Sequence, residues 1–178
     1  WSPMDLFSPN EARCHTEEIG FGSSVSVTDN YAIVGAPGAR MAYIFGRNNP
    51  LSERVVINLY TAEAGFGTGV SITDRYAIVG APGAKKAFVF AYNSSLGGWD
   101  ASAIFVISGY TDQAEFGASV SLTDSHAMVG APGAKKVFVF SLNSDSAQLS
   151  QNISDYTDEG GFGSSVAISR RYATVGAP

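Results

Sequence analysis

The sequence predicts an all-β chain built from repeats of one four-stranded antiparallel unit. Three observations predict it. One 17-residue phrase recurs four times without insertion, from Phe21 to Pro37, Phe66 to Pro82, Phe116 to Pro132 and Phe162 to Pro178. The spacing from one leading phenylalanine to the next is 45, 50 and 46 residues, enough for several short strands per unit. Composition agrees: 20 glycines and only 15% charged residues suit short strands joined by tight turns. The units run over 21–65, 66–115 and 116–161, with partial units at 1–20 and 162–178.

Within a unit the first strand is Ser24-Val25-Ser26-Val27-Thr28, where small polar and β-branched residues alternate with period two. Asp29-Asn30 fits a two-residue hairpin loop, since both residue types tolerate positive φ. The second strand, Tyr31-Ala32-Ile33-Val34, is apolar almost throughout, as expected of a strand covered on both faces. Gly35-Ala36-Pro37-Gly38 ends it, because proline cannot donate to a ladder and glycine permits the turn. The third strand is Ala42-Tyr43-Ile44-Phe45, repeated as Ala87-Phe88-Val89-Phe90 and Val137-Phe138-Val139-Phe140. Variable polar connections follow, at 48–52, 93–99 and 143–148. The fourth strand is the weakest: Val55 to Leu59, Ala103 to Ile107, and Gln151 to Ser154. A Tyr-Thr pair and an acidic loop then lead to the next Phe-Gly.

Four-stranded sheets at this repeat length predict a β-propeller, whose blades bury their faces against one another. Small residues such as Gly22, Ser23 and Ser24 suit a crowded innermost strand, and the variable fourth strand suits the rim. A stacked β-solenoid is the alternative; its coils are shorter and lack the hairpin each unit contains here. The partial units do not add up to a closed four-bladed ring. His15 to Gly20 aligns with Tyr60 to Gly65 as a closing strand, but Phe7 lies too close to His15 for a third strand. A piece of a longer propeller, or a subunit completed by another copy, is expected.

Phe-Gly, an apolar strand and Val-Gly-Ala-Pro together resemble the FG-GAP repeat of integrin α-subunit heads and many secreted proteins. The likeness rests on Phe21-Gly22 with Gly35-Ala36-Pro37, Phe66-Gly67 with Gly80-Ala81-Pro82, Phe116-Gly117 with Gly130-Ala131-Pro132, and Phe162-Gly163 with Gly176-Ala177-Pro178. It implies an extracellular or cell-surface binding module. Calcium-binding members of that family carry an Asp-x-Asp-x-Asp-Gly loop between the first two strands. Here that loop holds only Asp29-Asn30, Asp74-Arg75, Asp124-Ser125 or Arg170-Arg171, too few oxygens for a calcium shell. No cofactor is expected, and the aspartates are expected to cap their turns.

A net charge of −5 argues against a nucleic-acid surface. No run of 18 apolar residues predicts a transmembrane segment. Trp1-Ser2-Pro3-Met4-Asp5 has neither the basic start nor the apolar core of a signal peptide, so a processed N-terminus or a fragment is expected. Cys14 has no second cysteine in the chain, and beside His15 on a strand it would face the opposite way. His126 stands where other units have Tyr31, Tyr76 and Tyr172, and His15 where they have Tyr60, Tyr110 and Tyr156; both are expected to pack rather than catalyse.

Charges recur with the repeat. Arg40, Lys85-Lys86 and Lys135-Lys136 follow Gly-Ala-Pro, while Glu17, Glu18, Glu63, Asp112, Glu115, Asp158 and Glu159 precede Phe-Gly. In an antiparallel four-stranded unit both loops fall at one end, which is the ligand side implied by the integrin resemblance. Two sequons, Asn93-Ser94-Ser95 and Asn152-Ile153-Ser154, predict exposed N-glycan acceptors. The expected function is non-enzymatic protein binding, adhesion or assembly, with self-association among the expected partners. The alternatives are a filament or coat subunit and a propeller hydrolase whose active site lies outside this chain.

Overall fold

The computed structural model describes residues 19–47, 54–108, 110, 112–143, 146–154 and 160–178. Among them the regular elements are strands, apart from one 3-10 turn at Pro132–Ala134. Four antiparallel sheets follow one another along the chain. The first contains β1 (Ser24–Val27), β2 (Tyr31–Ala36), β3 (Met41–Gly46) and β4 (Val55–Ile57), adjacent in that order. The second contains β5 (Val70–Ile72), β6 (Tyr76–Ala81) and β7 (Lys86–Asn93). Two short strands, β8 (Gly98–Trp99) and β9 (Phe105–Ile107), share the outer edge of β7. The third contains β10 (Ser119–Leu122), β11 (His126–Ala131), β12 (Lys136–Leu142) and β13 (Ala147–Ile153), with a register shift at Val139/Phe140. The fourth is the hairpin of β14 (Ser165–Ile168) and β15 (Ala173–Gly176).

The sheets pack face to face, and period-two alternation assigns each side chain to one interface. In the second sheet Ala77, Val79, Phe88 and Phe90 meet Ile33, Ile44 and Ile57 of the first. Their neighbours Tyr76, Ile78 and Val89 meet Val120, Val129 and Phe138 of the third. Met128 and Val137 of the third sheet then meet Phe162, Val166 and Ile168 of the fourth. A strand used on both faces reads as continuously apolar, which is why Tyr-Ala-Ile-Val carries no alternation. Phe66, Phe116 and Phe162 are buried in the three successive interfaces, each side chain contributing about 1.5–3 kcal/mol of burial. Aromatic neighbours fix them: Tyr110 stacks on Phe116 with ring centres 4.5 Å apart and planes 6° from parallel.

The glycines explain why the two halves of the motif travel together. Gly67, Gly117 and Gly163 sit at φ +95°, +96° and +92°, where a side chain would be strained. Their carbonyls press against Gly35, Gly80 and Gly130 of the preceding sheet, where any Cβ would run into the carbonyl oxygen. Small hydroxyls complete the contact. Ser24 Oγ donates to the Gly67 carbonyl at 3.0 Å, and Ser119 Oγ to that of Gly163 at 2.7 Å. The backbone N–H groups of Ile72, Leu122 and Ile168 donate to Ser26, Ser71 and Ser121 Oγ of the sheet before. The first strands of the four sheets, β1, β5, β10 and β14, therefore run as near neighbours.

Three expectations are corrected. The connection at 93–99 is not simply a polar loop: β7 continues to Asn93, turns back, and pairs Tyr92 with a buried Trp99. Tyr31 of the first sheet packs edge-on to that indole at 5.4 Å, an apolar attachment that hides the short strand. In the third sheet the last strand begins at Ala147, not Gln151. The hairpin turns are also built differently. No residue of the Asp29-Asn30, Asp74-Arg75, Asp124-Ser125 or Arg170-Arg171 pairs has positive φ. The preceding hydroxyl caps the turn instead, as Thr28 Oγ1 accepts from the N–H groups of Asn30 and Tyr31. Thr73, Thr123 and Ser169 do the same in the other units.

Candidate binding face at the Gly-Ala-Pro end

Antiparallel pairing brings the Gly-Ala-Pro turns and the loops before Phe-Gly to one end of every sheet. The two loops touch. Ala39 N–H donates to the Ile19 carbonyl at 3.1 Å, and Ala84 N–H to the Ala64 carbonyl at 3.0 Å. Gly38, Gly83 and Gly133 lack a side chain because Ile19, Ala64 and Ala114 occupy that space. The turn itself closes on a residue the sequence reading did not single out for its backbone. Arg40, Lys85 and Lys135 lie in the left-handed region at φ 55°, 54° and 54°, each donating its N–H to the proline carbonyl three residues earlier. Gly38, expected to supply the turn's conformational freedom, is there for close approach instead.

These three cations therefore occupy one backbone position in successive units. Arg40 is exposed and its guanidinium donates to the Thr61 carbonyl at 3.0 Å, reaching the loop that enters the second sheet. Lys86 and Lys136 open β7 and β12. Lys86 pairs with Glu63 at 2.7 Å, both side chains about a quarter to a third exposed, so water screens the pair. In the third unit Gln113 takes the place of Glu63, and its buried Oε1 has no hydrogen-bond partner among the described residues. Asp112 and Glu115 are exposed on the loop before Phe116. Glu115 stands at φ 61°, in the position filled elsewhere by Gly20, Gly65 and Gly161 at φ 83°, 75° and 72°. Glu17, Glu18, Asp158 and Glu159 lie outside the described residues, as do Cys14 and His15.

The opposite end is tied together differently. The Asp74 carboxylate does not cap its own turn but accepts from Thr28 Oγ1 at 2.6 Å and Asn30 Nδ2 at 2.8 Å of the preceding sheet. Sequence reasoning missed this bond, although the Thr-Asp pair repeated at 28–29, 73–74 and 123–124 was its visible signal. No group of three or more metal-binding side chains converges among the described residues. His126 begins β11 as Tyr31 and Tyr76 begin β2 and β6, with Nδ1 2.9 Å from Ser125 Oγ.

At the rim, a groove of about 400 Å3 opens between β9 and β13, lined by Ile104, Val106, Tyr110, Phe140 and Leu149. Burial pushes the Tyr110 hydroxyl above the usual tyrosine pKa. Among the described residues, no carboxylate or histidine lines this groove. Asn152 is exposed on β13, opposite Phe138, the register position held by Val56 and Val106 in the other sheets. Asn93 is only half-exposed, and its Oδ1 accepts from the N–H groups of Ser95 and Leu96, capping the β7–β8 turn.

No protein-family model matches the chain, and no curated protein matches it. Among solved structures it is similar to hydrazine synthase of Kuenenia stuttgartiensis, with a TM-score of 0.61 and 10% sequence identity. The likeness covers 87% of this chain and 40% of that one. At so low an identity it is a likeness of fold alone. The class that fold and site define is an all-β repeat chain of four antiparallel sheets packed face to face. No helix among the described residues is long and apolar enough to cross a membrane.

Proposed function

We propose that this chain is a segment of an FG-GAP-type β-propeller that binds protein partners outside the cell or at its surface, without catalytic turnover. Its four sheets are then successive blades, with β1, β5, β10 and β14 nearest the axis. The observation that carries the reading is the repeated turn that presents Arg40, Lys85 and Lys135 from one backbone position beside acidic loops. Loops on a rigid scaffold, repeated at a fixed spacing, suit an extended protein surface better than a small substrate. Adhesion of cells to surfaces coated with the chain tests it. A chain carrying Arg40→Glu, Lys85→Glu and Lys135→Glu is expected to hold several-fold fewer cells. No adhesion to the unaltered chain, or equal adhesion to the variant, would remove the reading.

A further inference from the structure

The third sheet meets the rim with an edge unlike those of the first two. β4 and β9 are three residues each. Shortness is itself a protection, since so short an edge offers few free backbone groups to another strand. β13 is seven residues long, and its five central residues, from Gln148 to Asn152, are exposed. It contains no charge and no proline, the residues that blunt an edge elsewhere. Among the described residues no strand pairs with its outer side. The register shift at Val139/Phe140 is the protection its backbone supplies.

On that edge stands the sequon Asn152-Ile153-Ser154. The ladder sets the exposed Asn152 opposite Phe138, where the shorter rim strands carry Val56 and Val106. Ile153 turns to the other face and packs with Val137 toward the fourth sheet, so the strand is anchored beside a freely presented carboxamide. Leu149, opposite Phe140, shares the face of Asn152; it is 49% exposed and lines the rim groove. A long uncharged edge and an apolar side chain thus lie beside one modifiable amide. The other sequon sits at a turn: Asn93 is half-buried, with its Oδ1 committed to the N–H groups of Ser95 and Leu96.

We infer that Asn152 carries an N-linked glycan, and that this glycan shields the outer edge of β13 and the apolar surface at Leu149 from other strands. In the transfer, Asn152 Nδ2 attacks the anomeric carbon of a lipid-linked oligosaccharide diphosphate. The carbon–nitrogen bond forms as the carbon–oxygen bond breaks, the lipid diphosphate leaves, and the amide proton passes to a base of the transferase. The bulk and hydration of the sugar then do for this edge what a lysine or proline does for others. The inference rests on the reading of the chain as extracellular, since the transfer belongs to the secretory route.

The test uses the 178-residue chain secreted from mammalian cells behind a cleavable signal peptide. Ser95→Ala is carried throughout, silencing the other sequon while keeping the Asn93 cap. Intact mass before and after glycosidase treatment is expected to show one glycan, mapped to Asn152 and lost in Ser154→Ala. In sedimentation velocity the glycosylated chain should stay monodisperse, whereas the Ser154→Ala chain should associate at least about tenfold more strongly. Asn152→Lys, equally free of glycan, should return to the glycosylated chain's behaviour, because a charge then occupies the same edge position. Circular dichroism should be the same for all three. An unmodified Asn152 overturns the inference. So does a Ser154→Ala chain no more associated than the glycosylated one, or an Asn152→Lys chain that associates as strongly. Cell adhesion is scored on the same preparations: adhesion by a chain found without glycan fails this inference alone, and a glycosylated chain that holds no cells fails the binding reading alone.

Discussion

The second and fourth sheets contain nearly the same strand in opposite circumstances. Tyr76-Ala77-Ile78-Val79-Gly80-Ala81 lies between two neighbouring sheets and every residue of it is buried. Among the described residues, Tyr172-Ala173-Thr174-Val175-Gly176-Ala177 has a neighbour on one side only. Tyr76 is 4% exposed and Tyr172 75%. The difference teaches that the motif does not create its own core. It is a two-sided adhesive, and stability resides in the contacts between units, as in other repeat arrays. Identical substitutions should therefore cost very different amounts in the two places.

The largest difference is expected for the rings. Phe116→Ala should cost about 3–5 kcal/mol in urea unfolding, since Phe116 is fully buried between the second and third sheets and stacked on Tyr110. Tyr172→Ala should change stability by less than about 0.5 kcal/mol. Comparable losses at both positions would mean that the fourth sheet has a partner on its open face, and would break the contrast.

The docking glycines sharpen it. At Gly80 an added Cβ meets the Gly117 backbone carbonyl, which can yield only if the sheets part; at Gly176 it meets Ser165 Oγ, which can rotate away. Gly80→Ala is expected to cost about 1–3 kcal/mol, and Gly176→Ala less than about 1 kcal/mol. Thermal melts of the two variants should differ in that order. Equal losses would show that glycine serves its own strand at both positions rather than the seam.

The hydroxyls give a smaller contrast of the same form. Ser121→Ala removes the acceptor of the Ile168 N–H, a donor of the next sheet held at 3.1 Å, and should cost about 1 kcal/mol. Ser165→Ala should cost almost nothing, because among the described residues no following sheet meets its Oγ. The chain has already dispensed with one such hydroxyl, at Ala167, the position equivalent to Ser121.

The all-β class, most strand positions and the placing of both charged loops at one end were legible because they depend on local pattern. Alternation in Ser-Val-Ser-Val and Ser-Val-Ser-Leu reports one small polar face and one apolar face, and β10 is used that way, with Val120 and Leu122 buried, whereas Val25 and Val27 of β1 are exposed. The unreadable features depend on a partner outside the local stretch. Trp99 looked like part of a polar linker because its attachment is to Tyr31, 68 residues earlier in the chain. Asp74 looked like a turn cap because the groups it accepts from, Thr28 and Asn30, belong to another sheet. The left-handed cations were hidden for a different reason. Arg and Lys carry no sequence mark of positive φ, and Gly38 stood two residues away as the obvious candidate. Of the candidate face, residue types and spacing were visible; the shared backbone position of Arg40, Lys85 and Lys135 was not.

Glu115 extends the comparison from sheets to a single turn. Gly20, Gly65 and Gly161 supply left-handed φ at no steric cost, and the third unit places a glutamate there at φ 61°. The turn is otherwise the same, since Ala118 N–H donates to the Glu115 carbonyl at 3.0 Å as Thr68 N–H donates to that of Gly65 at 3.1 Å. Left-handed backbone costs an ordinary residue about 1–2 kcal/mol, while glycine in the unfolded chain gives back about 0.5–1 kcal/mol in entropy. Glu115→Gly should therefore stabilise the chain by roughly 0.5–1 kcal/mol, read as an upward shift in the urea midpoint. An exposed carboxylate kept at a strained position of the proposed binding end is where stability and function would trade against each other. The same variant should accordingly hold fewer cells on a coated surface while melting later. If it melts later and holds as many, Glu115 is strain without a binding role; if it does not melt later, the turn is held by its neighbours and the backbone argument for this end fails.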